Sequence, residues 1–247
     1  MLQTYHTKLI HKEKKSGNVY IFRFLCEDPD AITFEAGQYV MLLVPQPDGT
    51  VKRKHYSISS PATEKNSFEL MVKILPQGVA SDYLSVLELG QPSVFQGPAG
   101  IFTLKDAEEH TGRSKIFIAA GTGLAPVRSI LLTHLPLHPD EEFVLFWGIQ
   151  KKEDIFYLDE LVNLTEKYGN FEFAIFLSQE DLISPQEAHL TKGRVTIGLD
   201  RLKTVDKIPF NSLDIYISGA REIVEDLHKY TLSLGATPGH IVVEKFV

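Results

Sequence analysis

The stretch that most constrains the fold is Lys115-Ile116-Phe117-Ile118-Ala119-Ala120-Gly121-Thr122-Gly123-Leu124-Ala125-Pro126. Residues 116–120 have no polar face, so a strand made from them needs cover on both sides, which a parallel sheet flanked by helices provides. Helical spacing of apolar residues resumes at 128–134. A strand, a tight glycine turn and a helix aim the first free amides of the helix at whatever occupies the turn, and the glycines let an anion come close to backbone. A dinucleotide fingerprint would carry a third glycine where Pro126 stands. Read alone, the stretch leaves a nucleotide turn and a plain connection both open.

The pattern around it extends the same architecture. Strands are expected at 115–119, 143–147, 171–177, 214–218 and 241–246, with a strand or turn at 194–199. Helices are expected at 125–134, 155–168 and 222–234. Alternation of this kind predicts an α/β Rossmann-like parallel sheet covered on both faces, over residues 113–247. Ligands of such sheets lie beyond the carboxyl ends of the strands, where Gly121, Thr122 and Gly123, then Gly148, Ser178-Gln179 and Ser218-Gly219 all fall.

Residues 1–104 read differently. Short strand-like pieces at 8–12, 19–25, 39–44, 54–59, 68–74 and 93–97, separated by turn clusters, suggest an antiparallel Greek-key β-barrel. A helix at 80–87 begins just after Gly78. Its start is suited to an anion, although Ser81 as a simple helix cap gives an equally local account. The polar run 104–113 is the expected connection between the two domains.

Totals exclude several classes. A net charge of -7 in 247 residues argues against a nucleic-acid binder, because duplex recognition neutralises phosphates with Lys and Arg. The single cysteine, Cys26, excludes an internal disulfide and a thiolate-held iron–sulfur cluster. No apolar run reaches the ~20 residues of a membrane span and the first residues lack a secretory pattern, so a cytoplasmic protein is expected. The histidines form no H-E-x-x-H spacing, no metal site is expected, and no G-K-[ST] follows a glycine loop.

Four motifs taken in order identify a resemblance: Tyr56-Ser57; Val72-Lys73 with Gly78-x-x-Ser81; Gly97-Pro98-x-Gly100-x-Phe102; and Gly121-Thr122-Gly123-x-x-Pro126. Together they resemble the ferredoxin–NADP reductase superfamily, over nearly the whole chain. The resemblance implies an FAD-binding barrel followed by a domain for NADPH or NADH. It places Tyr56 against the flavin ring and Ser57 near its reactive nitrogen, Val72 and Lys73 along the cofactor, and Gly78 and Ser81 on the pyrophosphate. Relatives carry arginine two residues before the tyrosine. Here that position is Lys54, with Arg53 beside it, so either cation is a candidate for the flavin phosphate. Pro126 fits the reductase form of the turn, with Thr122 at the flavin–nicotinamide junction.

Ser178-Gln179 stands where NADP-using relatives carry serine and arginine for the 2′-phosphate. Glutamine there leans toward NADH, while Arg194 is positioned to restore the charge. Ser218-Gly219 occupies the place of a cysteine–glycine pair beside the nicotinamide. The C-terminus resembles that of bacterial ferredoxin–NADP reductases, which makes Glu244 a polar neighbour of Ser218 and Phe246 an aromatic cover over the flavin, with a core position as the plain alternative.

The implied activity is hydride exchange between NAD(P)H and FAD, with single electrons passed to or from a ferredoxin or flavodoxin. Ser57, Ser218, Glu244 and Phe246 form the reacting set. An acidic carrier would use a basic patch such as Lys52, Arg53 and Lys54, and the protein is expected to act as a monomer. Two alternatives stay open: a reductase using free flavin as a diffusing substrate, and an electron-transfer subunit without independent turnover.

Overall fold

The computed structural model describes residues 2–105, 112–184 and 186–246; most of the expected connection at 104–113 lies outside the described residues. The chain forms two compact units. The first runs to Leu104 and includes Arg128–Thr133; the second takes Lys105–Val127 and the chain from His134 onward.

The first unit is a six-stranded sheet in the order β4-β3-β6-β1-β2-β5. Its strands are β1 (Gln3–Ser16), β2 (Val19–Asp28), β3 (Tyr39–Pro45), β4 (Val51–Ser57), β5 (Ser67–Lys73) and β6 (Pro92–Ala99). All their pairings are antiparallel. An isolated antiparallel bridge from Ile58 to Leu70, with the Ser59 amide donating to the Glu69 carbonyl at 2.8 Å, joins the end of β4 to β5 and closes the sheet into a barrel. Phe22, Phe24, Phe68 and Phe95 are fully buried inside it. The Phe24 and Phe68 rings meet Phe95 edge-on at 4.8 and 5.0 Å, the geometry aromatic quadrupoles prefer. Each such ring contributes roughly 1.5–3 kcal/mol by leaving water. Helix α1 (Val79–Val86) follows β5.

The second unit is a six-stranded, wholly parallel sheet in the order β10-β9-β8-β7-β11-β12. Its strands are β7 (Ser114–Ala120), β8 (Phe143–Ile149), β9 (Phe171–Leu177), β10 (Leu190–Lys192), β11 (Leu213–Ala220) and β12 (Ile241–Phe246). The helices are α2 (Leu124–His134), α3 (Leu158–Lys167), α4 (Thr196–Thr204) and α5 (Arg221–Ser233). Ile116, Phe117, Ile118 and Ala119 on β7 are buried, as their unbroken apolar run requires. From β7 the chain builds outward first through β8, β9 and β10, then returns to add β11 and β12 on the other side. The order therefore reverses between β7 and β11, the topological switch point at which such sheets bind ligands.

Two local expectations are corrected. Residues 194–199 read as strand or turn from Val195, Thr196 and Ile197, yet Thr196–Thr204 is helical. Packing overrides propensity there: a side chain on Gly198 would stand 2.7 Å from the Phe176 ring, so glycine lets α4 sit down on the sheet. The helix expected from 155 begins at Leu158 instead, because Tyr157 takes the left-handed conformation at φ 61°.

Candidate functional site

In the first unit, register separates two cations that are neighbours in sequence. Tyr56 pairs with Val40 and Lys54 with Leu42 across β3 and β4, and side chains of directly paired antiparallel residues share a face. Val40 and Leu42 belong to the barrel core, so Lys52, Lys54 and Tyr56 stand on that face. Tyr56 packs against the core, and burial pushes its hydroxyl up to about 12, which keeps it a neutral donor. Arg53, His55 and Ser57 lie on the other face. There the Arg53 Nε donates to Gln96 Oε1 at 3.2 Å, and the His55 ring meets Tyr39 edge-on at 5.1 Å. Of the two cations considered for a flavin phosphate, Lys54 shares the face of Tyr56 and Arg53 does not.

The chain beyond Ser57 is held by side chains that sequence reading did not single out. Arg128 Nη1 donates to the Ser59 carbonyl at 2.8 Å and to Glu69 Oε1 at 2.9 Å. Ser59 Oγ donates to the same Glu69 oxygen at 3.0 Å, and Arg23 Nη2 to Glu69 Oε2 at 3.1 Å. Ser129 Oγ donates to the Ser60 carbonyl at 2.7 Å, and the Ala62 amide to Thr133 Oγ1 at 2.9 Å. Glu69 and Arg128 are both buried, so their mutual charge compensation and complete hydrogen bonding are what make the arrangement tolerable. The result is a fixed backbone path immediately after Tyr56-Ser57.

Val72 lies in the core at the end of β5 and Lys73 is exposed beside it. The helix after them begins without a side-chain cap: Gly78 is the cap residue and no side chain bonds the first amides. Ser81 does not cap the helix. It is buried, and its hydroxyl accepts from the Leu75 amide at 2.9 Å, which folds the loop 75–78 back over the helix start. The first-turn amides are thus open to an anion, although α3, α4 and α5 also start without a side-chain cap, so the open start alone does not set α1 apart.

In the second unit the switch point is built from close backbone contact. Gly121, Thr122 and Gly123 form a single 3-10 turn at the end of β7. Trp147 Nε1 donates to the Gly121 carbonyl at 3.0 Å, so this fully buried core residue also holds the turn. A side chain on Gly123 would overlap the Ser218 carbonyl, which makes glycine obligatory where the turn meets β11. Pro126 sits buried in the first turn of α2, where its missing amide hydrogen is not needed. Ser218, in register with Ala119 on β7 and Glu244 on β12, is fully buried. Among the described residues its hydroxyl is buried with no hydrogen-bond partner. Such an atom costs about 1–3 kcal/mol and is kept where something else uses it.

Gly219 follows at the end of β11, and Phe246 stands half-buried on the edge strand β12, in register with Ala220. Ser178 and Gln179 lie exposed just beyond β9. The Ser178 Oγ donates back to the Ile149 carbonyl at 3.2 Å, and the Gln179 amide donates to the Gln150 carbonyl at 2.8 Å. Arg194 is exposed just past β10. Among the described residues no group of His, Cys, Asp and Glu could hold a metal ion, and no helix is long and apolar enough to cross a membrane.

Each unit therefore offers one candidate place for an anion: the open helix start after Gly78 in the barrel, and the glycine turn at the switch point of the parallel sheet. A flavin dinucleotide and a nicotinamide dinucleotide each need a pyrophosphate held, and a barrel followed by a parallel sheet with one candidate place in each is the arrangement of a two-domain flavoprotein oxidoreductase.

Comparison with known proteins gives the same class. The oxidoreductase FAD-binding domain family matches residues 6–104, and the oxidoreductase NAD-binding domain family matches residues 117–229. The reductase subunit of an aromatic O-demethylase from Amycolatopsis is 37% identical over 153 residues, 61% of this chain and 45% of that protein. Ferredoxin–NADP reductase B of Sorangium cellulosum is 34% identical over 177 residues, 72% of this chain and 71% of that protein. The crystal structure of an Amycolatopsis cytochrome P450 reductase superposes with a TM-score of 0.87 at 29% identity, covering 99% of this chain and 70% of the other. The chain belongs to the ferredoxin–NADP reductase superfamily. It spans less than half the length of the O-demethylase reductase subunit it matches.

Proposed function

We propose that the chain passes electrons between NAD(P)H and a carrier protein of the ferredoxin or flavodoxin type by way of a bound FAD. When bound, FAD supplies the chemistry that the side chains lack, namely uptake of an electron pair and its release one electron at a time. The chain's own residues bind and orient. In the barrel, Tyr56 offers a neutral aromatic surface, Lys54 a cation on the same face, Ser57 a hydroxyl, Val72 and Lys73 backbone, and Gly78 with Ser81 an uncapped helix start for the pyrophosphate. In the parallel unit, Gly121, Thr122, Gly123 and Pro126 shape the nucleotide turn. Ser218 and Gly219 with Glu244 form the polar end for the nicotinamide, and Phe246 serves as the aromatic that must yield before nucleotide enters.

The observation that carries this reading is the buried Ser218 hydroxyl at the sheet's switch point, unpartnered among the described residues, with Gly123 packed so closely on the Ser218 backbone carbonyl that a side chain there would overlap it. Of the exposed cations Lys52, Arg53 and Lys54 on β4, Arg53 stands on the face away from Tyr56 and Lys54 and so suits an acidic carrier. The buried, unbridged Cys26 suits a reducing compartment such as the cytoplasm, and we propose that the chain works there as a monomer.

A second reading has support of its own. The Amycolatopsis relative is a reductase subunit of a larger system, and a toluate dioxygenase electron transfer component from Pseudomonas putida is 28% identical over 216 residues, 59% of its length. The chain would then be the flavin and nucleotide portion of an oxygenase's electron supply. Purification decides what the flavin is. A yellow protein with one FAD per chain that reduces an added ferredoxin with NAD(P)H is the expected result. A colourless protein that reduces added riboflavin would make flavin a diffusing substrate and overturn it.

A further inference from the structure

Trp147 is the only tryptophan in the sequence, and it is fully buried on β8. Phe143, Leu145 and Phe146 on the same strand fill the core without a polar atom, whereas a buried indole brings an N–H that must find an acceptor. The acceptor is the Gly121 carbonyl at 3.0 Å. Trp147 pairs with Ala119 on β7 and Ala119 with Ser218 on β11, so the three lie in one row across the parallel sheet and share a face. Ala119, between the two larger side chains, is small, and the glycine turn begins two residues beyond it. The indole is itself braced. Phe156 is buried and meets it edge-on at 4.8 Å, and the next residue, Tyr157, takes the left-handed conformation at φ 61°, which a bulky side chain adopts only where its surroundings impose it.

The Gly121 carbonyl also accepts from the Leu124 amide, so both of its lone pairs are used within the protein. The Gly121–Thr122 peptide is trans, and in a trans peptide the carbonyl and the following N–H point in opposite directions within one plane. Two donors that fix the Gly121 oxygen therefore fix the direction of the Thr122 amide. It points away from Trp147, among the first-turn amides that a helix leaves without internal partners.

We infer that Trp147 is a positioning residue: its indole N–H, acting through the Gly121–Thr122 peptide, holds the Thr122 amide as a donor to a nicotinamide nucleotide at the glycine turn. The inference rests on the nicotinamide-nucleotide reading above and deepens it by naming the side chain that sets the turn's donor. A phenylalanine at this position would fill the core and leave the Gly121 carbonyl with Leu124 alone. When a nucleotide accepts from the Thr122 amide, the peptide group is polarised from both ends, which strengthens the indole bond to its oxygen.

Because the chain has a single indole, that bond can be followed directly by NMR in the isotope-labelled protein, with FAD bound and oxidised, as NAD⁺ and then, in a separate sample, NADP⁺ is added. No electron transfer takes place in this titration, and it needs no variant. The one indole N–H resonance is expected to move to lower field with whichever nucleotide binds. Trp147→Phe is expected to raise KM for NADH or NADPH about 2- to 13-fold, the value of one neutral hydrogen bond, with kcat changed by less than about twofold. A role in packing alone would lower stability and leave both the resonance and KM where they were. A resonance that stays in place at saturating nucleotide, or a KM unmoved in Trp147→Phe, would overturn the inference while leaving electron transfer from NAD(P)H intact. A resonance that stays in place in a protein whose flavin neither nucleotide reduces would sink the nucleotide reading and this inference with it.

Discussion

Replacing Ser218 by alanine separates what its hydroxyl does for the protein from what it does for a ligand. Ser218 is fully buried, and its Oγ is without a partner among the described residues. Leaving a hydroxyl unsatisfied costs about 1–3 kcal/mol, while alanine keeps the Cβ and vacates only one atom. Offsetting the small void against that penalty, Ser218→Ala is expected to gain about 1 kcal/mol without nucleotide. For a chain of this size that raises the unfolding midpoint by about 2–4 °C. With nucleotide the sign reverses. Losing one neutral hydrogen bond worth about 0.5–1.5 kcal/mol lowers kcat/KM for flavin reduction about 2- to 13-fold. The assay pairs thermal melts at matched FAD occupancy with anaerobic stopped-flow reduction, because any bound ligand raises the apparent midpoint. A lower midpoint in Ser218→Ala would mean that the hydroxyl has a protein partner. An unchanged kcat/KM would mean that no nucleotide uses it. Either outcome refutes the assignment.

Gly123→Ala puts a methyl group into the Ser218 carbonyl, and because both sides of the clash are backbone it should cost about 3 kcal/mol and suppress nucleotide-driven reduction, checked by melt and by stopped flow. Arg128→Leu leaves Glu69 buried with Arg23 and Ser59 but strips the Ser59 carbonyl. A loss of about 3 kcal/mol is expected in denaturant unfolding, partly restored by Arg128→Lys, and a loss below about 1 kcal/mol would deny the network its role. Burial, with the nearby His138 adding to it, lowers His134 to about 4, below its ordinary 6.5. The unfolded chain then binds the proton that the folded chain refuses. Stability is full above about pH 6.5 and falls as the pH drops toward 4, by at most ~1.4 kcal/mol per unit, and His134→Gln should flatten that part of the profile. Cys26 is buried with its thiol raised to about 11, so it should resist a maleimide in the native protein and react on unfolding.

The architecture was legible because both periodicities are strong. The apolar run of β7 and its glycine turn required a covered parallel strand, and the short, regularly spaced pieces before residue 104 required an antiparallel sheet. The structure's corrections lie where long-range packing decides. Val195-Thr196-Ile197 looks extended until the Phe176 ring is seen to accept a helix at Gly198. The choice between Lys54 and Arg53 needed the β3–β4 register, which no local pattern states. Glu69 and Arg128 are far apart in sequence, and neither sits in a recognisable motif; the serines at 59 and 60, rather many hydroxyls for a bend, were the available hint of a polar network.

The most direct test of the account is anaerobic mixing of the FAD-loaded protein with NADH, followed at the visible absorbance of the oxidised flavin. The account predicts bleaching within the turnover range of ordinary enzymes, ~1–1000 per second, and recovery of colour when an oxidised one-electron carrier is added. A flavin that stays oxidised with NADH and NADPH alike would contradict it.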